Sequence, residues 1–251
     1  MSNVDAKSGL IELYAKQLRL PSFTRYSDVV RHLDSSQSYE DFLLAMMKME
    51  ALSRQESSQR RKIKAAKFPY IKTIDELDMK RFEHIESAFV HQLGTCDFVG
   101  KKQNIVMIGN SGTGKSHLSI ALGVKACMQG MNVRFYTAAN LSNELVEAQE
   151  YKKLLKLEKQ LMKSDLLIID EMSYLTFNRH QSELLFKVVS DRAEKQSVII
   201  STNLKFSDWT SMFENQIMVS ALIDRLTFRS HVLNMNGRSY RSDHSEPYVS
   251  E

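Results

Sequence analysis

Apolar residues follow two different periods along the chain, and the first is helical. Before residue 67 they recur every three or four positions, the spacing that places side chains on one face of an α-helix. Two such stripes are present: Leu10, Leu13, Tyr14 and Leu18, then Phe42, Met46, Met49 and Leu52. Pro21 ends the first stripe. The pattern predicts a small all-helical domain over residues 1–67.

The rest of the chain alternates between short apolar runs and segments of helical period. Five runs are rich in β-branched or other apolar residues: 103–108, 132–137, 165–170, 197–202 and 230–235. Such alternation is typical of the α/β class, in which helical crossovers join parallel strands. Residues 68–98 form the junction, and one more amphipathic helix is predicted near 79–93. The second predicted domain therefore covers residues 68–251.

Composition excludes several classes of protein. Nine glycines and three prolines in 251 residues exclude collagen-like and Pro/Gly-rich low-complexity chains. Two cysteines cannot form a disulfide framework, and the polar first residues do not resemble a secretory signal. No apolar run approaches the roughly 18 residues of a membrane helix. We therefore expect a cytoplasmic protein that does not use a membrane.

The net charge of +4 is concentrated in one segment. Residues 71–251 are charge-balanced, whereas residues 54–67 carry six cations and the single acid Glu56. The six cations are Arg54, Arg60, Arg61, Lys62, Lys64 and Lys67. A basic arm of this kind is a candidate for phosphate contacts with DNA. The alternative, a solvated helix face without a partner, stays open at this point.

The first strand is followed by GNSGTGKS, which satisfies the pattern G-x-x-x-x-G-K-[ST] at every defined position. The residues are Gly109, Asn110, Ser111, Gly112, Thr113, Gly114, Lys115 and Ser116. Because the loop opens a helix, backbone N–H groups and the helix dipole converge on one point and favour a phosphate there. Lys115 is expected to reach the β- and γ-phosphates, and Ser116 to ligate Mg²⁺. The alternative is a glycine-rich turn without a ligand.

The third predicted strand ends at the acidic residue Asp170, and Glu171 follows it. Ligands of open α/β sheets bind at the carboxyl ends of strands, so Asp170 is placed beside the Mg²⁺ of the loop. Glu171 comes next and can polarise a water for attack on the γ-phosphate. Glu171 can equally be the first residue of a turn. The order of these residues predicts ATP and Mg²⁺ as the ligands.

Further polar residues follow the fourth strand. Asn203 comes directly after VIIST, and an amide there can position the attacking water, although it can also serve a local turn. Arg225 and Arg229 are spaced four residues apart and are predicted to share one helix face. Either arginine can act on the γ-phosphate of a neighbouring subunit, or can be an ordinary surface residue.

The ordered set GNSGTGKS, DLLIIDE, ISTN, ALIDRLTFRS and GRSYR resembles the AAA+ ATPases, and specifically the IstB-like transposition helper proteins. These are related to the DnaC-type helicase loaders. The resemblance implies a doubly wound, parallel five-stranded sheet in which the strand before Asn203 lies between the loop strand and the Asp170 strand. It also implies that Glu171 is the base, Asn203 the first sensor and Arg225 the finger acting in trans.

The same resemblance implies a bacterial homo-oligomer, a ring or a spiral, with ATP sites between subunits. An extra helix after the second strand is characteristic of the initiator and loader branch. The interval 138–164 is long enough for two helices, and KKLLKLEKQLMK at 152–163 fits the second. Arg238 and Arg241 are candidates for a second sensor.

The predicted function is that of an ATP-dependent DNA-binding helper that assembles on target DNA and assists a transposase. Its expected partners are double-stranded DNA, bound largely without regard to sequence, and a transposase subunit. A replicative helicase loader is the alternative within the same class. A P-loop kinase of a small metabolite and a nucleotide-gated scaffold with negligible turnover are alternatives from other classes.

Overall fold

The computed structural model of the chain describes residues 3–32, 38–79, 82, 85–172, 177–211, 216–237 and 239–240. The chain divides into two compact units, Met1–Arg61 and Lys62–Glu251. The division falls inside one long helix, ahead of the domain boundary predicted at residue 67. Each unit is therefore described separately.

The first unit is helical. Its elements are α1 Asn3–Gln17, a 3₁₀ helix Pro21–Arg25, α2 Tyr26–His32 and α3 Tyr39–Ala66, whose last residues belong to the second unit. A buried carboxylate links them, because Glu50 accepts hydrogen bonds from the Ser22 amide at 3.0 Å and the Arg54 Nε at 2.7 Å. Burial by itself raises the pKa of Glu50, but the bonds from Arg54 and Ser22 outweigh burial and lower that pKa.

The first apolar stripe of this unit is exposed, whereas the second is partly buried. Leu10, Leu13, Tyr14 and Leu18 are each more than half exposed. Among the described side chains of this unit, Ala15 and Met46 are the apolar ones that are buried. A unit of this length has little interior volume, so the predicted helices form without enclosing much of their apolar surface.

The second unit is built on a parallel sheet of five strands. They are β1 Asn104–Ile108, β2 Val133–Thr137, β3 Leu166–Asp170, β4 Ser197–Thr202 and β5 Ser230–Asn234, in the spatial order β2-β3-β4-β1-β5. All four strand pairs are parallel. The predicted α/β fold and the position of the strand before Asn203 are therefore confirmed.

Helices cover both faces of this sheet. They are α4 Ser87–Gly94, α5 Asp97–Gly100, α6 Lys115–Met128, α7 Ala138–Glu150, α8 Leu154–Lys163, α9 Arg179–Ala193, a 3₁₀ helix Phe206–Ser211 and α10 Gln216–Thr227. Side chains alternate between two apolar clusters, so that Ile168 packs with α6 and Ile169 packs with α7 and α9. The two helices expected between β2 and β3 are present as α7 and α8.

One predicted helix is shorter than expected. The amphipathic helix predicted near 79–93 begins only at Ser87, and residues 80–81 and 83–84 of that range lie outside the described residues. Before it, the Thr73 carbonyl contacts the His117 ring at 3.0 Å, and Phe82 packs against Gly114. The segment therefore lies along the loop after β1. Within the described residues, no helix combines the length and apolarity needed to cross a membrane.

Candidate active site

The loop between β1 and α6 is shaped by its glycines. Gly112 and Gly114 have φ angles of +77° and +93°, which disfavour any residue with a Cβ. At Gly109 an added Cβ would collide with the backbone of Met235. Three of the eight motif positions therefore need glycine for reasons visible in the structure.

Lys115, the first residue of α6, is buried at the inside of this loop. Its ammonium group donates to the carbonyl oxygens of Gly109 at 2.5 Å and Asn110 at 2.6 Å. The Thr113 hydroxyl donates to the same Asn110 carbonyl at 2.9 Å. The cation is thus held against the backbone that would surround a phosphate, where its charge has most effect.

Most of the predicted site residues meet at one cavity of about 320 Å³. The loop from Ser111 to Ser116 lines it, together with Glu171, Ser201 and Asn203. An adjoining cavity of about 1030 Å³ contains Ser116, Asp170 and Glu171. Asn110 lies at the outside of the loop, where its N–H donates to the Asn236 side chain at 3.2 Å. The structure therefore brings the loop, both carboxylates and Asn203 together.

The two carboxylates differ in backbone and burial. Asp170 is the last residue of β3 and is buried, whereas Glu171 is exposed and adopts a left-handed conformation with φ +58°. The Glu171 N–H donates to the Ser201 hydroxyl at 3.0 Å, and that hydroxyl donates to the Asp170 carboxylate. Ser201 therefore connects the two acidic residues across the β3 and β4 strands.

Sequence reasoning missed Ser201. It is buried near the end of β4, a strand whose other central residues are apolar. A hydroxyl in a buried strand needs a hydrogen-bond partner, and the neighbouring strand was already predicted to end in a carboxylate. The buried hydroxyl in an apolar strand and the carboxylate at the end of the next strand could together have identified Ser201.

The chain after β5 also contacts the phosphate loop. The Met235 N–H donates to the Ile108 carbonyl at 2.7 Å, and the Tyr240 N–H donates to the Gly112 carbonyl at 2.9 Å. Tyr240 also lines the smaller cavity. Arg238 and Arg241, the candidates for a second sensor, lie outside the described residues. The described part of GRSYR nevertheless borders the predicted ATP site.

The prediction that Arg225 and Arg229 share a helix face is wrong. The helix α10 ends at Thr227, and Arg229 has a left-handed conformation with φ +52°. Here hydrogen bonding to β1 replaces the hydrogen bonding of the helix: the Asn104 N–H donates to the Arg229 carbonyl at 3.1 Å. Arg225 remains in the helix, with its Nε 4.0 Å from the Glu194 carboxylate. Neither arginine lines the two cavities at the phosphate loop.

The six cations of residues 54–67 are not equivalent. Arg54 donates to Glu50 and to the Arg19 carbonyl, each at 2.7 Å. Lys62 donates to the Gly130 carbonyl and, at 3.0 Å, to the Asn132 side chain. The other four are exposed and form no ion pair with any described residue: Arg60, Arg61, Lys64 and Lys67. Two of the six predicted DNA contacts are therefore engaged within the protein.

A phosphate loop before a helix, an Asp-Glu pair at the end of β3 and an asparagine after β4 define a P-loop ATPase of the AAA+ class. The chain matches the family described as IstB-like ATP binding protein over residues 13–247. It therefore belongs to that family.

Two relatives and one solved structure agree with this assignment. The chain is 34% identical over 233 residues to the "Insertion sequence IS5376 putative ATP-binding protein" of Geobacillus stearothermophilus, with 92% of this chain and 93% of that protein covered. It is 35% identical over 204 residues to the "Insertion sequence IS21 putative ATP-binding protein" of Pseudomonas aeruginosa, covering 81% and 77%. The crystal structure of the DnaC helicase loader matches with a TM-score of 0.52 and 18% identity, over 71% of this chain and 99% of that one. This last likeness concerns the fold.

Proposed function

We propose that this chain is an ATP-hydrolysing, DNA-binding oligomer that assembles on target DNA and helps a transposase to capture it. The observation that supports it most is the convergence of the phosphate loop, Asp170, Glu171 and Asn203 in a chain of the IstB-like family. Relatives named as insertion-sequence ATP-binding proteins cover most of the chain, which supports a role in transposition.

The phosphate loop binds the triphosphate. Backbone N–H groups at the N-terminus of α6 and the Lys115 ammonium offset the negative charge of the phosphates. The Ser116 hydroxyl and the Asp170 carboxylate line the same cavity and are oxygen donors of the kind Mg²⁺ prefers, so they fit this ion. Bound there, Mg²⁺ would neutralise phosphate charge. Among the described residues no group of three or more His, Cys, Asp or Glu could hold a metal ion.

Glu171 is the general base and Asn203 orients the attacking water. Both side chains line the cavity that contains Lys115, so a water held between them lies near the phosphates. Ser201 is a positioning residue: it accepts a hydrogen bond from the left-handed Glu171 backbone and donates one to Asp170. A shift of about 1 Å in such a group can cost about 100-fold in rate.

The oligomer, a ring or spiral, supplies an arginine from the neighbouring subunit. Arg225 and Arg229 are both exposed and lie away from the chain's own phosphate loop, which is compatible with action in trans. Duplex DNA binds through its phosphates to the exposed cations of residues 54–67. Four such contacts give a slope of log affinity against log salt of about −3.5 from this segment.

The Glu171→Gln variant tests the hydrolytic part. It should bind ATP as the parent does, release phosphate at least about 100-fold more slowly and keep the oligomer assembled on DNA. Glu150→Gln, at an exposed position at the end of α7, is the matched control. Phosphate release by Glu171→Gln at the parent rate would overturn the base assignment. Transfer of phosphate to an acceptor other than water would favour a metabolite kinase.

Ser201→Ala tests the positioning role. We expect kcat to fall by about 10- to 100-fold with ATP affinity nearly unchanged, because the loop that binds ATP stays intact. Ser201→Thr keeps the hydroxyl and should recover most of the rate. Equal losses in the two variants, or a change in ATP affinity alone, would show that the hydroxyl does not position the carboxylates.

Capture experiments test the partner. Full-length protein with ATP and duplex DNA should retain the transposase of an IS21-type element, and the Arg60→Glu, Arg61→Glu, Lys64→Glu variant should lose DNA while keeping ATP. Unchanged DNA affinity in that variant would remove the basic segment from the proposal. Retention of a replicative helicase instead of the transposase would favour a helicase loader.

A further inference from the structure

The helix α8 carries a second set of cations. Lys156, Lys159 and Lys163 are spaced three and four residues apart, which places them on one face of the helix, and all three are exposed. Lys152 and Lys153 precede the helix and are exposed as well. We call these five residues the α8 lysines. Lys156 and Lys163 are about 10 Å apart along the helix axis, since each helical residue rises about 1.5 Å.

The α8 lysines have no acidic partner among the described residues. The single acid of this segment, Glu158, lies on another side of the helix and accepts from Lys187 of α9 at 2.7 Å. Lys153 lies over the ring of the exposed Tyr151, 5.6 Å from its centroid. Five unpaired like charges on one segment repel one another, so their arrangement favours an anionic ligand.

The opposite side of α8 is held firmly. Leu157 and Leu161 are buried in the core, on the side away from the lysines. At the end of the helix the Arg192 guanidinium, fully buried, donates to the carbonyls of Leu161 and Ser164 and to that of Ser197. Burial lowers the pKa of Arg192 to about 10, so it stays charged at neutral pH. The backbone that carries the α8 lysines is therefore held in place by the core.

We propose that the α8 lysines form a second binding surface for the phosphate backbone of duplex DNA, within the ATPase unit itself. The inference rests on the proposed function, because it assumes that this protein binds DNA. A membrane surface fits less well, since Leu157 and Leu161 are inside the fold and Leu155 is the one leucine of α8 that is exposed. Lysine is a point charge on a flexible stem, which suits phosphates bound without sequence preference.

This surface adjoins the ATP site. Lys153 and Lys156 line the cavity of about 1030 Å³ that also contains Ser116, Asp170 and Glu171. DNA held by these lysines is therefore close to the groups that bind and hydrolyse ATP. We expect DNA to stimulate phosphate release, and this stimulation to depend on the α8 lysines.

The test compares full-length variants of equal charge change. Lys156→Glu, Lys159→Glu, Lys163→Glu removes the surface, and Lys101→Glu, Lys102→Glu, Lys195→Glu changes exposed lysines where β1 and β4 begin. The α8 variant should lose about 30-fold or more in affinity for a fluorescent DNA duplex at 0.1 M salt, have a shallower salt slope and lose DNA-stimulated phosphate release. The control variant should stay within about threefold of the parent.

Each outcome separates the two proposals. A parent protein that binds no duplex would contradict the proposed function, whereas a parent that binds and an α8 variant that binds equally well would overturn only the present inference. Sedimentation with ATP and without DNA must give the parent oligomer for the α8 variant. Failure to assemble there would mean that the lysines contact a second copy of the chain, and the DNA surface on α8 would be refuted.

Discussion

The two lysine- and arginine-rich segments, residues 54–67 and the α8 lysines, have similar charge but different surroundings. Residues 54–67 hold six cations and one acid, and residues 152–163 hold five cations and one acid. In the first segment Arg54 and Lys62 bond to groups of the protein. In the second, no lysine is paired with a described acid. Counting charge along the sequence therefore overestimated the number of cations available to a ligand in residues 54–67, and it did not single out residues 152–163.

The ends of the two helices explain part of this difference. The Ala65 carbonyl near the end of α3 accepts from Arg134 of β2 at 3.3 Å, and the Leu161 carbonyl near the end of α8 accepts from Arg192 of α9. In each helix a carbonyl of the last turn accepts a hydrogen bond from an arginine distant in sequence, whose charge also complements the helix dipole. The α8 lysines take no part in this bonding and are exposed.

The largest expected effect is from Arg192→Met. The substitution removes three hydrogen bonds to the carbonyls of the buried residues Leu161, Ser164 and Ser197, and we expect the free energy of unfolding of the second unit to fall by about 3–5 kcal/mol. Trp209 is the single tryptophan and is fully buried in that unit, so its fluorescence in a urea titration reports the change. Arg134→Met, which removes one bond at an exposed helix end, is the control and should cost about 1 kcal/mol. Equal losses of stability would mean that the buried hydrogen bonds of Arg192 contribute no more than the exposed one of Arg134.

A smaller effect is expected for Lys62→Met. It removes the bonds to Gly130 and Asn132 and should lower stability by about 1 kcal/mol while DNA affinity stays within about twofold. Lys64→Met should do the reverse, with reduced DNA affinity and unchanged stability. DNA loss in Lys62→Met without loss of stability would show that this lysine, too, is available to a phosphate.

The smallest effect is expected for Lys159→Gln. Loss of one phosphate contact should reduce the magnitude of the salt slope by about 0.9 and the affinity by about fivefold at 0.1 M salt, with stability within about 0.5 kcal/mol of the parent. Titration of a duplex at four salt concentrations measures both quantities. An unchanged slope would show that Lys159 does not contact the backbone.

Local patterns were sufficient to predict the strands and the phosphate loop. The five strands lie within a residue or so of the predicted runs, because continuous apolar residues between helical segments can only be buried in a sheet covered on both faces. Gly112 and Gly114 could be predicted from the local motif, and both have the positive φ angles that glycine tolerates.

Features that depend on residues distant in sequence were predicted wrongly or missed. Arg229 left its predicted helix face because β5 pairs with β1 at that point, and spacing in α10 contains no information about that pairing. The short extent of α4 and the exposure of the first apolar stripe likewise depend on what packs nearby. Ser201 was missed because its role exists only when β4 lies beside β3.

By itself, the sequence determined the class of this protein. The strand and helix periods and the glycines of the phosphate loop reflect interactions between near neighbours, and the order of Asp170, Glu171 and Asn203 can be read directly along the chain. Only the tertiary structure decided which cations are engaged and how the two carboxylates are connected. The physical reason is that a buried hydrogen bond or a neutralised charge depends on atoms brought together by folding, as when Arg192 reaches Leu161 or Ser201 reaches Asp170.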